Sequence, residues 1–185
     1  MITYISLLRG INVSGQKTVR MKDLVSLYES LGLGNVRPYV QSGNVIFSSP
    51  QKDTRELSGL IEKAVEETFG FKVAVLLRTP SELQLVVSHN PFLKKPDIDK
   101  SKLAVTFLSD KPDNSHVSQI QEINDEADRF AIVNKEIYLY CPNGFARTKF
   151  SNQFFEKKLG VTATTRNWKT VNALLDIVSL GEVRQ

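Results

Sequence analysis

Residues 36–48, VRPYVQSGNVIFS, decide the fold. Residues 36–41 and 45–48 are strand-like runs, and Ser42-Gly43-Asn44 between them supplies the glycine and asparagine that tolerate the positive φ of a tight hairpin. What flanks the hairpin gives its topology. Upstream, Met21, Leu24, Val25, Tyr28 and Leu31 recur at helical spacing and stop at Gly32, where a left-handed cap is needed. Before them, residues 2–8 (ITYISLL) are almost wholly apolar, as a central strand buried on both faces should be. Downstream, Asp53 and Glu56 resemble a capping box ahead of one apolar stripe, Leu57, Leu60, Ile61, Ala64, Val65 and Phe69. Residues 71–77 then alternate as another strand. The order βαββαβ is that of the ferredoxin-like unit, with two helices on one face of a four-stranded antiparallel sheet.

The rest of the chain echoes this order in part. Thr79-Pro80-Ser81-Glu82 opens a helix that runs to about Ser88, with a cap hydroxyl, proline at the first helical position and glutamate at the third. A strand over 103–108, a helix over 115–123, strands over 130–133 and 137–141 across the Asn134-Lys135 turn, and a helix over 151–159 follow. A last helix over about 166–180 carries Trp168, Val171, Leu175 and Val178 on one side and takes the place of a final strand. The expectation is therefore an α+β protein of two ferredoxin-like (βαββαβ) subdomains, the second incomplete and ending in helices. The boundaries fall at residues 1–78, 79–102 and 103–185.

Composition narrows the setting. The chain is 41% hydrophobic, ordinary for a globular protein. No apolar run approaches the roughly 20 residues that span a bilayer, and the first residues carry no secretory leader, so a cytoplasmic protein with no membrane partner is expected. Cys141 is the only cysteine, which excludes an internal disulfide, and with His89 and His116 alone it makes no zinc site, so no metal and no other cofactor is expected. The formal net charge is +4 and it is clustered. Arg9, Lys17, Arg20 and Lys22 occur in residues 1–22 without an acid, and residues 141–170 set Arg147, Lys149, Lys157, Lys158, Arg166 and Lys169 against Glu156 alone. Residues 110–136 are predominantly acidic. A basic side and an acidic side follow, either as solvated faces or as partner surfaces.

Polar motifs stand at the loops. Residues 9–18 (RGINVSGQKT) follow a central strand as a phosphate-binding loop does, but Gln16 separates Gly15 from Lys17 and the helix begins later, so this is no P-loop. A looser anion site using Arg9, Asn12 and Lys17 fits the chemistry, as does a plain surface loop. Gln41, Ser42 and Asn44 crowd the hairpin, where Gln41 on a strand could present its amide to a ligand. Ser42 lacks the frame of a hydrolase nucleophile. Residues 142–150 (PNGFARTKF) half match an RNA-binding octamer, yet Pro142-Asn143-Gly144 is turn chemistry, which leaves a basic loop with Asn143, Arg147 and Lys149. Thr164-Thr165-Arg166-Asn167-Trp168 reads as a capped helix start in which Arg166, Asn167 and Trp168 could meet an anionic or aromatic ligand, or simply build the helix.

Taken together, residues 8–13 (LRGINV), 41–45 (QSGNV), 142–145 (PNGF) and 164–168 (TTRNW), with Asn90-Pro91-Phe92 and residues 156–160 (EKKLG), resemble a bacterial family known as domain of unknown function 1697. The resemblance spans nearly the whole chain and implies a fold of two ferredoxin-like subdomains, the second rudimentary. It implies no activity. The family's usual Gly-Gly-Lys in the first loop is replaced by Ser14-Gly15-Gln16-Lys17, and serine adds a Cβ where a ligand would approach the backbone.

The residues thus leave three functions open. One is binding of an anionic, phosphorylated or nucleotide-like small ligand, with or without turnover, in a basic cleft between the two halves. It would use Arg9, Asn12, Lys17, Gln41, Ser42, Asn44, Asn143, Arg147, Lys149, Arg166, Asn167 and Trp168. The second is sequence-tolerant nucleic-acid binding on the basic side. The third is a protein-interaction module whose polar motifs are only caps and ties, in which case Arg9, Gln41 and Arg166 would be buried.

Overall fold

The computed structural model describes residues 1–185 apart from 14, 122, 124–126 and 183–185. The chain forms two compact units, Met1–Leu83 with Leu174–Gln185, and Gln84–Ala173. The sequence places the whole of 103–185 in the second half; in the structure the end of the last helix instead groups with the first unit.

In the first unit, β1 (Ile2–Leu8), α1 (Met21–Ser30), β2 (Gly34–Tyr39), β3 (Asn44–Ser49), α2 (Thr54–Phe69) and β4 (Val75–Arg78) follow in that order, and the antiparallel sheet runs β2-β3-β1-β4. β1 is central as its apolar run requires, paired to β3 from Ile2↔Ser49 to Leu7↔Asn44 and to β4 from Ile5↔Arg78 to Leu8↔Val75. One face of the sheet and the inner faces of α1 and α2 form a core that includes Tyr4, Leu24, Tyr28, Phe47, Leu57, Ile61 and Val65. Phe47 sits edge-on to Tyr28 at 5.4 Å. Leu60, expected on the apolar stripe, is 45% exposed instead.

The helix ends follow the sequence signals. Gly32 (φ 75°) takes the left-handed position after α1, and Gly70 (φ 79°) does so after α2. The Asp53 side chain accepts from the amides of Arg55 and Glu56. Glu56 does not complete the expected box; Gln51 accepts from the Asp53 amide and donates to Glu56. The reciprocal box forms one helix later, where Thr79 and Glu82 exchange side-chain and backbone bonds at the start of α3 (Pro80–Ser88).

The second unit repeats the order with β5 (Leu103–Leu108), α4 (Asn114–Gln121), β6 (Arg129–Val133), β7 (Glu136–Tyr140), α5 (Asn152–Leu159) and β8 (Ala163–Asn167), in a sheet ordered β6-β7-β5-β8. Here the sequence reading is corrected: residues 163–167 are a strand, so the second unit is not short of its last one, and α6 (Trp168–Glu182) starts later than expected. The threonines expected as helix caps are β-branched strand residues. Thr164 is buried, and the Thr165 hydroxyl meets that of Thr106 across the sheet at 2.7 Å. The cap is Asn167, whose Oδ1 accepts from the Thr170 amide.

Superposing the two ladders in register makes Leu8 equivalent to Leu108 and Arg78 to Arg166. The equivalence reaches single bonds. Leu8 N donates to Gly43 O at 2.9 Å and Leu108 N to Lys135 O at 2.8 Å; Arg9 N donates to Ala74 O and Ser109 N to Thr162 O. Glu62 on α2 accepts from the first amide of β4 (Val75, 2.8 Å), and Glu156 on α5 accepts from the first amide of β8 (Ala163, 3.1 Å).

Candidate functional site

In a sheet ordered β2-β3-β1-β4 the end of β1, the β2–β3 turn and the entry to β4 share one edge of the unit, so residues 9–20, 40–43 and 70–74 come together there. Asn12 joins the first two. Its Nδ2 donates to Val19 O at 2.9 Å and to Gln41 O at 2.7 Å, while its Oδ1 accepts from the Val19 amide at 2.8 Å. A side-chain amide has two donors and one carbonyl acceptor, so Asn12 is committed to closing the loop and not to presenting its amide outward. Lys17 joins the third segment: its Nζ donates to Lys72 O at 2.7 Å. An ammonium has three donors, so this bond anchors the lysine without exhausting it.

The hairpin is packed beneath this loop. A Cβ on Gly43 would lie 2.7 Å from Cγ1 and Cδ1 of Ile11 and 3.0 Å from Cβ of Leu8, and its φ is +75°. Glycine is required here twice over, by conformation and by contact. Asn44, expected as a ligand group, is fully buried and donates to Tyr39 O and to the Ser42 hydroxyl. Gln41 is not on a strand but in the turn, exposed beside Ser42. The backbone here is unusual: Gly10, Asn12, Gly15 and Lys17 in the loop and Val40 and Gly43 in the turn all have positive φ. For a β-branched residue such as Val40 (φ 52°) that conformation is strained, and such strain gathers at functional sites. Arg9, half-buried, and Lys17, exposed, give this edge its positive charge. Ser14, which departs from the family's Gly-Gly-Lys, lies outside the described residues.

The candidates of the second unit serve structure to a greater degree. Arg166 is 6% exposed, donates to the Thr164 hydroxyl (2.8 Å) and Thr165 O (3.0 Å), and burial pulls its guanidinium down to about 10. Asn167 caps α6, and Trp168 is buried. Asn143, Arg147 and Lys149 lie in the irregular segment before α5, with the Lys149 ammonium 5.5 Å from the centre of the Phe150 ring. The Cys141 thiol is fully buried.

Sequence reasoning missed two features. Lys72 belongs to the first loop cluster through its carbonyl, a placement visible only once the strand order is known. In the second unit, Asp128 Oδ1 and Asn90 Nδ2 are buried without a hydrogen-bond partner among the described residues. No group of three His, Cys, Asp or Glu side chains among the described residues is placed to hold a metal ion. No helix among them is long and apolar enough to cross a membrane.

Comparison with known proteins fits this picture at the level of fold. A family model described as "Protein of unknown function (DUF1697)" matches residues 1–138. No curated protein matches the chain. Among solved structures, the chain is similar to the conserved bacterial protein SP0830 from Streptococcus pneumoniae, with a TM-score of 0.71 and 22% identity. The alignment covers 95% of this chain and 97% of that one, and at this identity it speaks for the fold alone.

Proposed function

We propose that this chain, which belongs to the DUF1697 family of proteins of unknown function, binds a small phosphorylated or nucleotide-like anion at the loop edge of its first unit. The observation that carries the reading is the Asn12 staple, which spends a whole side chain on holding a glycine-punctuated, basic loop against the β2–β3 turn. A loop with no ligand to meet needs no such preorganisation, since surface loops tolerate mobility. Positive φ at Gly10, Asn12, Gly15 and Lys17 gives the loop a backbone that a plain connection does not need, and Arg9 and Lys17 add full charges. Exposed Gln41 and Ser42 supply neutral donors beside them. The βαββαβ order of each unit, with strand order β2-β3-β1-β4 and β6-β7-β5-β8, supports a ferredoxin-like reading of both. A lone buried cysteine suits the reducing cytoplasm.

Binding of nucleic acid on an open sheet draws less support. The face of the first sheet turned from α1 and α2 carries Ile5, Leu7, Ile46 and Leu76, all buried and so closed to stacking bases, with half-buried Tyr39 beside Asn44 as the one ring among its paired strand residues. On the second sheet the Tyr138 hydroxyl is engaged by Val86 O and Tyr140 lies against Phe92.

Thermal melting with nucleotides, sugar phosphates, acyl carboxylates and short oligonucleotides at two salt concentrations tests the proposal. A ligand at 100 times its Kd stabilises by about 2.7 kcal/mol, an easily resolved shift. One class of small anion should raise Tm in a salt-tolerant way, and Lys17→Ala should abolish the rise while leaving the melt of the free protein unchanged. A shift that only oligonucleotides produce, and that salt removes, would replace this reading with the nucleic-acid one. No shift with any member would leave the interaction module.

A further inference from the structure

In the second unit an open depression of about 640 Å³ is lined by Arg129, Phe130, Ala131 and Ile132, four consecutive residues of β6. Neighbouring residues of a strand point to opposite faces, so a hollow that touches all of them runs along the strand's edge. β6 is an edge strand, with β7 on one side only. The two-residue turn at 134–135 makes Val133↔Glu136 a hydrogen-bonded pair, and such pairs recur at Ala131↔Tyr138 and Arg129↔Tyr140. The backbone N–H and C=O groups of Phe130 and Ile132 therefore face the hollow.

Edges of this kind are commonly blunted, and the equivalent edge of the first unit is. β2 carries a register shift between Gly34 and Arg37, a positive φ at Asn35, and Pro38. β6 keeps an unbroken register over residues 129–133 and contains no proline. At its entrance stands Asp128, 8% exposed and lining the hollow, whose Oδ1 has no partner among the described residues. A buried carboxylate oxygen left unbonded is costly, and an N–H donor arriving from outside would relieve the cost. Exposed Lys95 and Arg129 also line the hollow, with Arg129 on the face opposite Phe130.

We infer that β6 accepts an extended polypeptide segment as an added strand, with a lysine or arginine of that segment on Asp128 and an acidic residue on its other face toward Arg129 and Lys95. Backbone pairing with Phe130 and Ile132 supplies affinity, and the alternating charges set register and choice of partner.

Panning random peptides displayed on phage against the whole chain tests this, with enriched sequences resynthesised, labelled with fluorescein and measured by anisotropy. Hits should carry a basic residue next to an acidic one on the strand. They should bind Asp128→Asn at least about tenfold more weakly, since a charged hydrogen bond is lost. Ile132→Pro removes an outward-facing N–H and spares the ladder to β7, and it should abolish binding. Asp128→Asn should melt no lower than the parent chain, because the unsatisfied charge is gone; this separates lost binding from lost folding. No enrichment, or hits that bind Asp128→Asn within twofold of the parent chain, would overturn the inference.

Discussion

The two units share a frame down to single hydrogen bonds and differ where β1 and β5 end, as well as along β2 and β6. Where β1 ends, the first unit inserts residues 9–20 before α1, with Asn12 bonded to the turn and Lys17 to Lys72 O. Where β5 ends, the second unit passes through residues 109–113 directly into α4, and its hairpin turns in two residues. The bonds from Leu8 to Gly43 and from Leu108 to Lys135 keep the sheet the same in both. The inserted loop is thus not needed to build such a unit. What a frame does not require, yet holds rigidly, is where function is to be sought.

The comparison can be pressed from its shared parts to its divergent ones. The buried arginines should act alike: Arg78 donates to Leu77 O at 2.9 Å as Arg166 does to Thr165 O at 3.0 Å, each from a last strand of its sheet. Arg78→Ala and Arg166→Ala should each destabilise by about 3 kcal/mol in urea titrations, through a cavity and stranded acceptors. A cost at one and not the other would break the equivalence of the last strands. The turn should divide the units. Gly43→Ala, forced against Ile11 and Leu8, should cost about 2 kcal/mol, while Lys135→Ala, its counterpart, should stay within about 0.5 kcal/mol. Equal costs would mean that the elaborated loop is not packed on its turn. Smallest and again paired, Glu62→Gln and Glu156→Gln should each lose about 1 kcal/mol by weakening the bond to the first amide of β4 or β8.

Much of this frame is legible in the sequence because it is written in periodicity. The apolar run of β1, the helical stripes of α1 and α2 and the glycines after them leave one order of elements. β8 is not legible: after Ala163, residues 164–167 are polar, and their hydroxyls and guanidinium find partners inside the unit, where a polar run in a sequence suggests a surface. For the same reason Arg166 reads as a ligand group, while its counterpart Arg78 gives no signal at the end of an apolar strand. In the loop, glycines and cations point to residues 9–18. They do not distinguish Lys17, which keeps donors to spare, from Asn12, whose amide is consumed, because that depends on where the hairpin lies. The edge at β6 is invisible, since residues 130–133 are apolar throughout, as those of a central strand would be, and no proline marks them.

The most direct measurement is an amide chemical-shift titration of the full chain with whichever small anion raises its melting temperature. Shifts confined to residues 9–19, 41–44 and 72 of the first unit, with 109–113 and 134–135 silent, are the predicted result. Shifts at those second-unit counterparts, or none at Lys17 and Gln41, would contradict it.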